Sequence, residues 1–178
     1  THRSTFRLTL LVGALACLTT FADTSTDTTG YTSLNTNANQ ARSVLQANPD
    51  ITVMFAPYDE FAQGDKIAVD EAGLTDQVDI YSADVSTADI SAMREPGSAW
   101  VATVATNPAV VGEVSIRSLA IMLAGGDPGA SVIVPPTLIT QAFLNEQGIK
   151  NMADLGAKMP QFQHADVAMT GWMPLPAR

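Results

Sequence analysis

Few side chains in this sequence are equipped for covalent chemistry. Among 178 residues there is one cysteine, Cys17, and there are two histidines, His2 and His164, each near a chain end. A nucleophile–histidine–acid triad or a histidine-bearing metal site needs such groups brought together, so neither is predicted. The glycines fall at turns and helix ends, not in a phosphate-cradling pattern. Asp59 and Glu60 are paired acids, but adjacent helical positions point apart and cannot flank one substrate bond. No catalytic residue, metal ligand or cofactor is therefore expected. What remains is non-covalent recognition by Tyr58, Asp59, Asp84, Thr106 and Asn107, each just downstream of a short apolar run. A carboxylate such as Asp84 accepts two hydroxyl hydrogen bonds, strengthened by its charge. A tyrosine can stack on a ligand or hydrogen-bond with it.

Alternating elements place these residues. Ile51–Ala56, Val78–Ala83 and Trp100–Ala105 are short, partly β-branched apolar runs, the pattern of buried parallel strands. Helices are predicted over Ala38–Ala47, from Asp59 to Ala72 with Gly73 as its stop, and over a short stretch ending at Met93. The last opens on the capping box Ser86-x-x-Asp89. A further helix starts at Asn107-Pro108, with Asn at the cap and Pro at the first helical position, and runs to Ala124. Ser131–Val134 and Leu138–Thr140 read as extended, the second leading into a helix near Ala142–Gln147. Strands alternating with helices define an α/β fold: a parallel sheet flanked by helices on both faces, a single Rossmann-like lobe. Ligands of such sheets bind beyond the carboxyl ends of the strands, where the five candidates fall.

Each candidate also has a structural role open to it. Asp59 and Asn107 fit helix N-caps, and Asp84 could cap the Ser86 region. Trp100 opens a strand and reads as core, His164 as a surface residue, and Trp172 has no periodic context.

Nine basic residues against eighteen acidic ones give a formal charge of −9, with no basic cluster to displace counterions, so nucleic acid is not an expected partner. Residues 1–22 carry Arg3 and Arg7 before an uncharged run from Leu8 to Ala22, the layout of a secretory leader. The run is shorter than the ~20 residues a membrane span needs. Two alternatives are lipid attachment at Cys17, and a buried element of a longer protein. Residues 23–36 read as a polar linker, 37–160 as the α/β lobe and 161–178 as a tail.

Five pieces in order resemble the type I periplasmic sugar-binding proteins of the ribose/galactose type. They are Gln46–Ile51 with Phe55-Ala56-Pro57-Tyr58-Asp59-Glu60, Ala68-x-x-Glu71-Ala72-Gly73, Asp84, Trp100–Pro108 with Gly112, and Val134–Thr140. The resemblance covers Ala38 to Asn145. It implies the carboxy-terminal lobe of a periplasmic-binding-protein type I fold, one half of a receptor that closes on a monosaccharide and delivers it to the permease subunits of an ABC importer in the periplasm. The family's polar contacts fall on Tyr58, Asp84 and Thr106. Better-known members carry amides at Tyr58 and Thr106, which leaves room for a ligand other than ribose. The amino-terminal lobe would lie upstream of residue 37, where there is no room for it. Competing readings are the effector lobe of a lac-repressor-type regulator, an enzyme on a doubly wound sheet, and a truncated fragment without function.

Overall fold

The computed structural model describes residues 34–173. The expected leader, most of the linker and Cys17 lie outside the described residues, as does the end of the tail.

Helix α1 (Leu34–Ala47) leads into β1 (Val53–Ala56) and α2 (Asp59–Ala72). Then follow β2 (Asp79–Ala83), α3 (Thr87–Met93), β3 (Trp100–Ala105), α4 (Pro108–Leu123) and β4 (Thr137–Thr140). Three short helices complete the order: α5 (Gln141–Glu146), α6 (Met152–Lys158) and α7 (Pro160–Gln163). The sheet order is β1-β2-β3-β4. The first two pairings are parallel, with Met54 beside Ile80 and Ser82 beside Thr103. The third is antiparallel, with Val104 beside Leu138.

The α/β lobe is as expected, but among the described residues its helices flank one face of the sheet and not both as the pattern predicts, and three further details differ. α1 begins at Leu34, earlier than the apolar periodicity indicated, because Asn37 and Ala38 are already buried against the neighbouring helix. The extended piece at 131–134 joins no ladder; Val132 and Val134 pack on α4 instead. β4 runs against its neighbour, since after α4 the long irregular segment 124–136 brings the chain back to the sheet edge it left, with Thr137 beside Ala105.

Local chemistry accounts for the element ends. Gly73 adopts φ +66° and its N–H bonds Asp70 O while Leu74 N–H bonds Val69 O, the paired pattern that closes a helix on glycine. Ser86 Oγ accepts from Asp89 N–H and the Asp89 carboxylate accepts from Ser86 N–H, so the capping box forms as the sequence indicated.

The main core lies between one sheet face and the helices α1, α2, α3, α5, α6 and α7. Met54, Ile80, Trp100 and Ile139 meet Leu45, Val69, Ile90 and Leu144 there. Trp100 is fully buried and its indole N–H donates to Ser82 Oγ at 2.9 Å, so it is core, not a ligand platform. Among the described residues nothing covers the other sheet face: Val53, Phe55, Tyr81, Val104 and Leu138 are all exposed on it. α4 does not cover that face. Its Val110 and Val114 join a separate small cluster with Val132, Val134, Ala165 and Val167.

Candidate ligand-binding site

The parallel register brings the carboxyl ends of β1, β2 and β3 to one edge of the sheet. The loops leaving that edge carry all five residues singled out in the sequence. Tyr58 is the N-terminal flanking residue of α2, in extended conformation, with its ring 5.9 Å from that of Phe61 in an edge-to-face pair. It is exposed. Asp59 is the first helical residue, not the cap expected; its Oδ1 accepts from Glu60 N–H at 2.9 Å.

Asp84 is the most constrained of the five. It takes φ +70°, a left-handed conformation uncommon outside glycine. Two bonds fix it there: its N–H donates to Val104 O at 2.9 Å, and its carbonyl accepts from Thr103 Oγ1 at 2.6 Å. Thr103 is itself fully buried. The capping of α3 is complete without Asp84, through Ser86 and Asp89. The strained backbone therefore has no capping task, and it carries an exposed residue at the strand end.

Thr106 and Asn107 follow β3 and are half-buried. Asn107 Oδ1 accepts from Ala109 N–H at 3.0 Å, so its oxygen is committed to the cap of α4.

Sequence reasoning missed one participant. Asp89 was legible as a cap, but its carboxyl also hydrogen-bonds Asp59, while Gln63 Nε2 donates to it at 2.6 Å. Burial pushes the Asp59 carboxyl up to about 6, reinforced by the hydrogen bond and charge of Asp89 and more weakly by the charge of Asp84. The Ser86-x-x-Asp89 spacing puts Asp89 at the start of α3; only the tertiary packing of α2 beside α3 brings it to Asp59. Among the described residues, no group of three or more His, Cys, Asp or Glu is arranged to hold a metal ion. No helix among them is long and apolar enough to cross a membrane.

The ledge is open. The two best-formed hollows lie elsewhere, one of about 370 Å³ along α4 and one of about 400 Å³ between α1 and the end of α2. A small-molecule site normally encloses most of its ligand, which this ledge among the described residues does not.

The described residues thus form an α/β sheet with polar ligand candidates at its strand ends. The periplasmic binding protein domain matches residues 13–127, and the chain belongs to that family. It is similar to the 5-methylthioribose transporter solute-binding protein of Thermotoga lettingae, solved with 5-methylthioribose, at 32% identity and TM-score 0.71, over 78% of this chain and 43% of that one. A sugar ABC transporter protein from Yersinia enterocolitica matches at 32% identity and TM-score 0.68, over 78% and 42%. A solute-binding protein from Agrobacterium vitis with bound allitol matches at 26% identity and TM-score 0.58, over 64% and 40%. No curated protein sequence matches. The chain thus spans about two fifths of the length of the structures it matches. The first and third of those relatives are solute-binding proteins.

Proposed function

We propose that this chain forms the carboxy-terminal wall of a sugar-capturing cleft serving an ABC importer, exported to the periplasm and performing no covalent chemistry. The observation that carries the reading is Asp84, pinned in a left-handed conformation at the carboxyl end of β2 with no capping duty. Strain of this kind costs of order 1–3 kcal/mol and persists where surrounding bonds impose it, characteristically at ligand sites. In this reading the Asp84 carboxylate accepts two hydroxyls of a neutral monosaccharide, Tyr58 stacks on or hydrogen-bonds it, and Thr106 adds a hydroxyl contact. Asp59 and the free amide side of Asn107 border the same ledge. The sugar-bound relatives support the ligand class. The partners are the permease subunits and an amino-terminal lobe that supplies the facing wall.

One wall alone buries little ligand, so affinity is expected in the millimolar range, about −4 kcal/mol. Titration of the isotope-labelled chain with ribose, allose and 5-methylthioribose, followed by NMR, tests this. Saturable shifts are expected around Tyr58, Asp84 and Thr106, and Asp84→Asn is expected to weaken binding roughly tenfold or more, the worth of a charge-assisted bond. Shifts centred elsewhere, or turnover of any of these sugars, would sink the reading.

A further inference from the structure

Tyr58 and Asp84 stand at the ends of different strands, so the shape of the ledge depends on how the first turn of α2 sits beside the start of α3. Three polar side chains make that joint. Asp89 is fully buried, and its oxygens accept from Ser86 N–H and from Gln63 Nε2, each at 2.6 Å. Asp59 is half-buried one turn before Gln63 on the same face of α2, and it hydrogen-bonds the same carboxyl. Two carboxyls in such contact need a proton between them, because two ionised ones have nothing to donate and repel.

The surroundings decide where that proton sits. Donors already engage both oxygens of Asp89, so it is the acceptor, and Asp59, which receives Glu60 N–H, carries the proton. None of the groups acting on Asp59 is a cation. On α2, Lys66 pairs with Asp70 and with Glu95 beyond α3. Arg94, at the far end of α3, reaches Asn145, and Arg42 of α1 pairs with Glu71. The remaining charge is Asp84, which opposes ionisation of Asp59 as Asp89 does.

We propose that Asp89 is a positioning residue of the ledge: it receives the Asp59 proton and so holds the start of α2, with Tyr58 beside it, against the loop that carries Asp84. The consequence for a ligand rests on the sugar-binding reading, whereas the positioning itself does not. With the proton in place the joint is closed. When Asp59 ionises, the bond is lost and two carboxylates face each other near a third. The first turn of α2 then moves off α3 and takes Tyr58 with it. Burial, reinforced by Asp89, pushes the Asp59 carboxyl up to about 6, so the ledge changes shape as pH rises through that value. Sugar is held roughly fivefold more tightly on the acid side, and by reciprocity a bound sugar makes Asp59 hold its proton more firmly.

The test is an NMR pH titration of the 178-residue chain, labelled at its aspartate carboxyls, backbone amides and tyrosine rings. The expected result is one transition near pH 6 at the Asp59 carboxyl, repeated at the Tyr58 ring and the Ser86 N–H. Asp59→Asn supplies an amide that donates to Asp89 without titrating, and is expected to keep the parent's low-pH positions throughout. Asp59→Ala has no donor and is expected to keep the high-pH positions throughout. That arm is decisive, because a bare field effect of the Asp59 charge leaves the uncharged alanine variant at the low-pH positions. Titration with ribose, allose and 5-methylthioribose at pH 5 and pH 7.5 reads the ledge: the parent is expected to lose about fivefold in affinity and Asp59→Asn nothing. A Tyr58 ring that ignores the Asp59 transition overturns the proposal. So does a transition that persists in Asp59→Asn, or an Asp59→Ala chain at the low-pH positions. If no sugar binds at either pH, the sugar-binding reading falls, and the Tyr58 ring still decides the positioning role.

Discussion

The two faces of one sheet have nearly the same composition and opposite fates. On one, Met54, Ile80, Trp100 and Ile139 are sealed under helices; on the other, Val53, Phe55, Tyr81, Val104 and Leu138 stand in solvent. Alternation along the strands therefore does not separate an apolar from a polar face here, as it does in a sheet meant to be wet on one side. Both faces are written for burial, and the difference lies in which helices the described chain supplies. The lesson extends to the site. Strand ends and caps are set by local bonds and the Asp84 conformation by bonds to the neighbouring strand, all within the described residues, whereas enclosure of the proposed ligand would depend on a second body.

The largest expected contrast comes from emptying one large side chain on each face. Trp100→Ala removes a fully buried ring and leaves Ser82 Oγ without its indole donor, at an expected cost of roughly 3–5 kcal/mol in denaturant unfolding. Phe55→Ala removes an aromatic from the open face. Measured at a concentration where the chain is monomeric, it is expected to stay within about 0.5 kcal/mol. Comparable losses at the two positions would mean that the second face is covered within the monomer.

The sealed side also carries a pH signature. Asp65 is buried between α1 and α2, and burial pushes its carboxyl up to about 7, partly offset by the Asn37 Nδ2 hydrogen bond at 3.0 Å. The folded state therefore holds this proton more tightly than the unfolded chain, whose carboxyl titrates near 4. In that window the native state binds more protons, so stability falls as pH rises from about 4 to about 7 and is level beyond. The Asp59 carboxyl adds a smaller loss in the same direction, ending near pH 6. Asp65→Asn is expected to match the parent near pH 4 and exceed it above pH 7 by about 2–4 kcal/mol. Its amide can also donate to Asn37 Oδ1, a buried oxygen with no recorded partner. Urea unfolding of both proteins across this range checks it; a variant less stable at pH 8 would show that the Asp65 charge is needed.

Much of this was legible beforehand, for identifiable reasons. The α2 span, the Ser86–Asp89 box and the Asn107-Pro108 start rest on local chemistry, and each formed where the residues indicated. Helix α1 began early because Asn37 is held by tertiary bonds to Phe61 O and Asp65, which no periodicity encodes. The antiparallel β4 and the unpaired 131–134 segment were equally invisible, since short apolar runs carry no direction or partner. Strand ends pointed to Tyr58, Asp84 and Thr106, but not to the left-handed Asp84 or to the contact between Asp59 and Asp89. Those arise from Thr103 behind one residue and from the α2–α3 packing behind the other.

The finest version of the comparison uses two helical glycines. Gly64 in α2 lies against α1: a Cβ there would sit 2.7 Å from Asn37 Nδ2 and 3.0 Å from Leu34 O. Gly112 in α4 has nothing within 4 Å of the same position. Alanine improves helix propensity at both sites by up to about 1 kcal/mol, so the sign of each change reports the surroundings alone. Gly64→Ala must displace a buried side chain and a helix backbone, and is expected to destabilise by about 1–3 kcal/mol despite the propensity gain. Gly112→Ala is expected to stabilise by about 0.5–1 kcal/mol. Thermal unfolding of the pair at one pH reads both. If Gly112→Ala destabilised instead, α4 would be held against a surface closer than its described neighbours, and the open side of the molecule would be less open than its exposed side chains indicate.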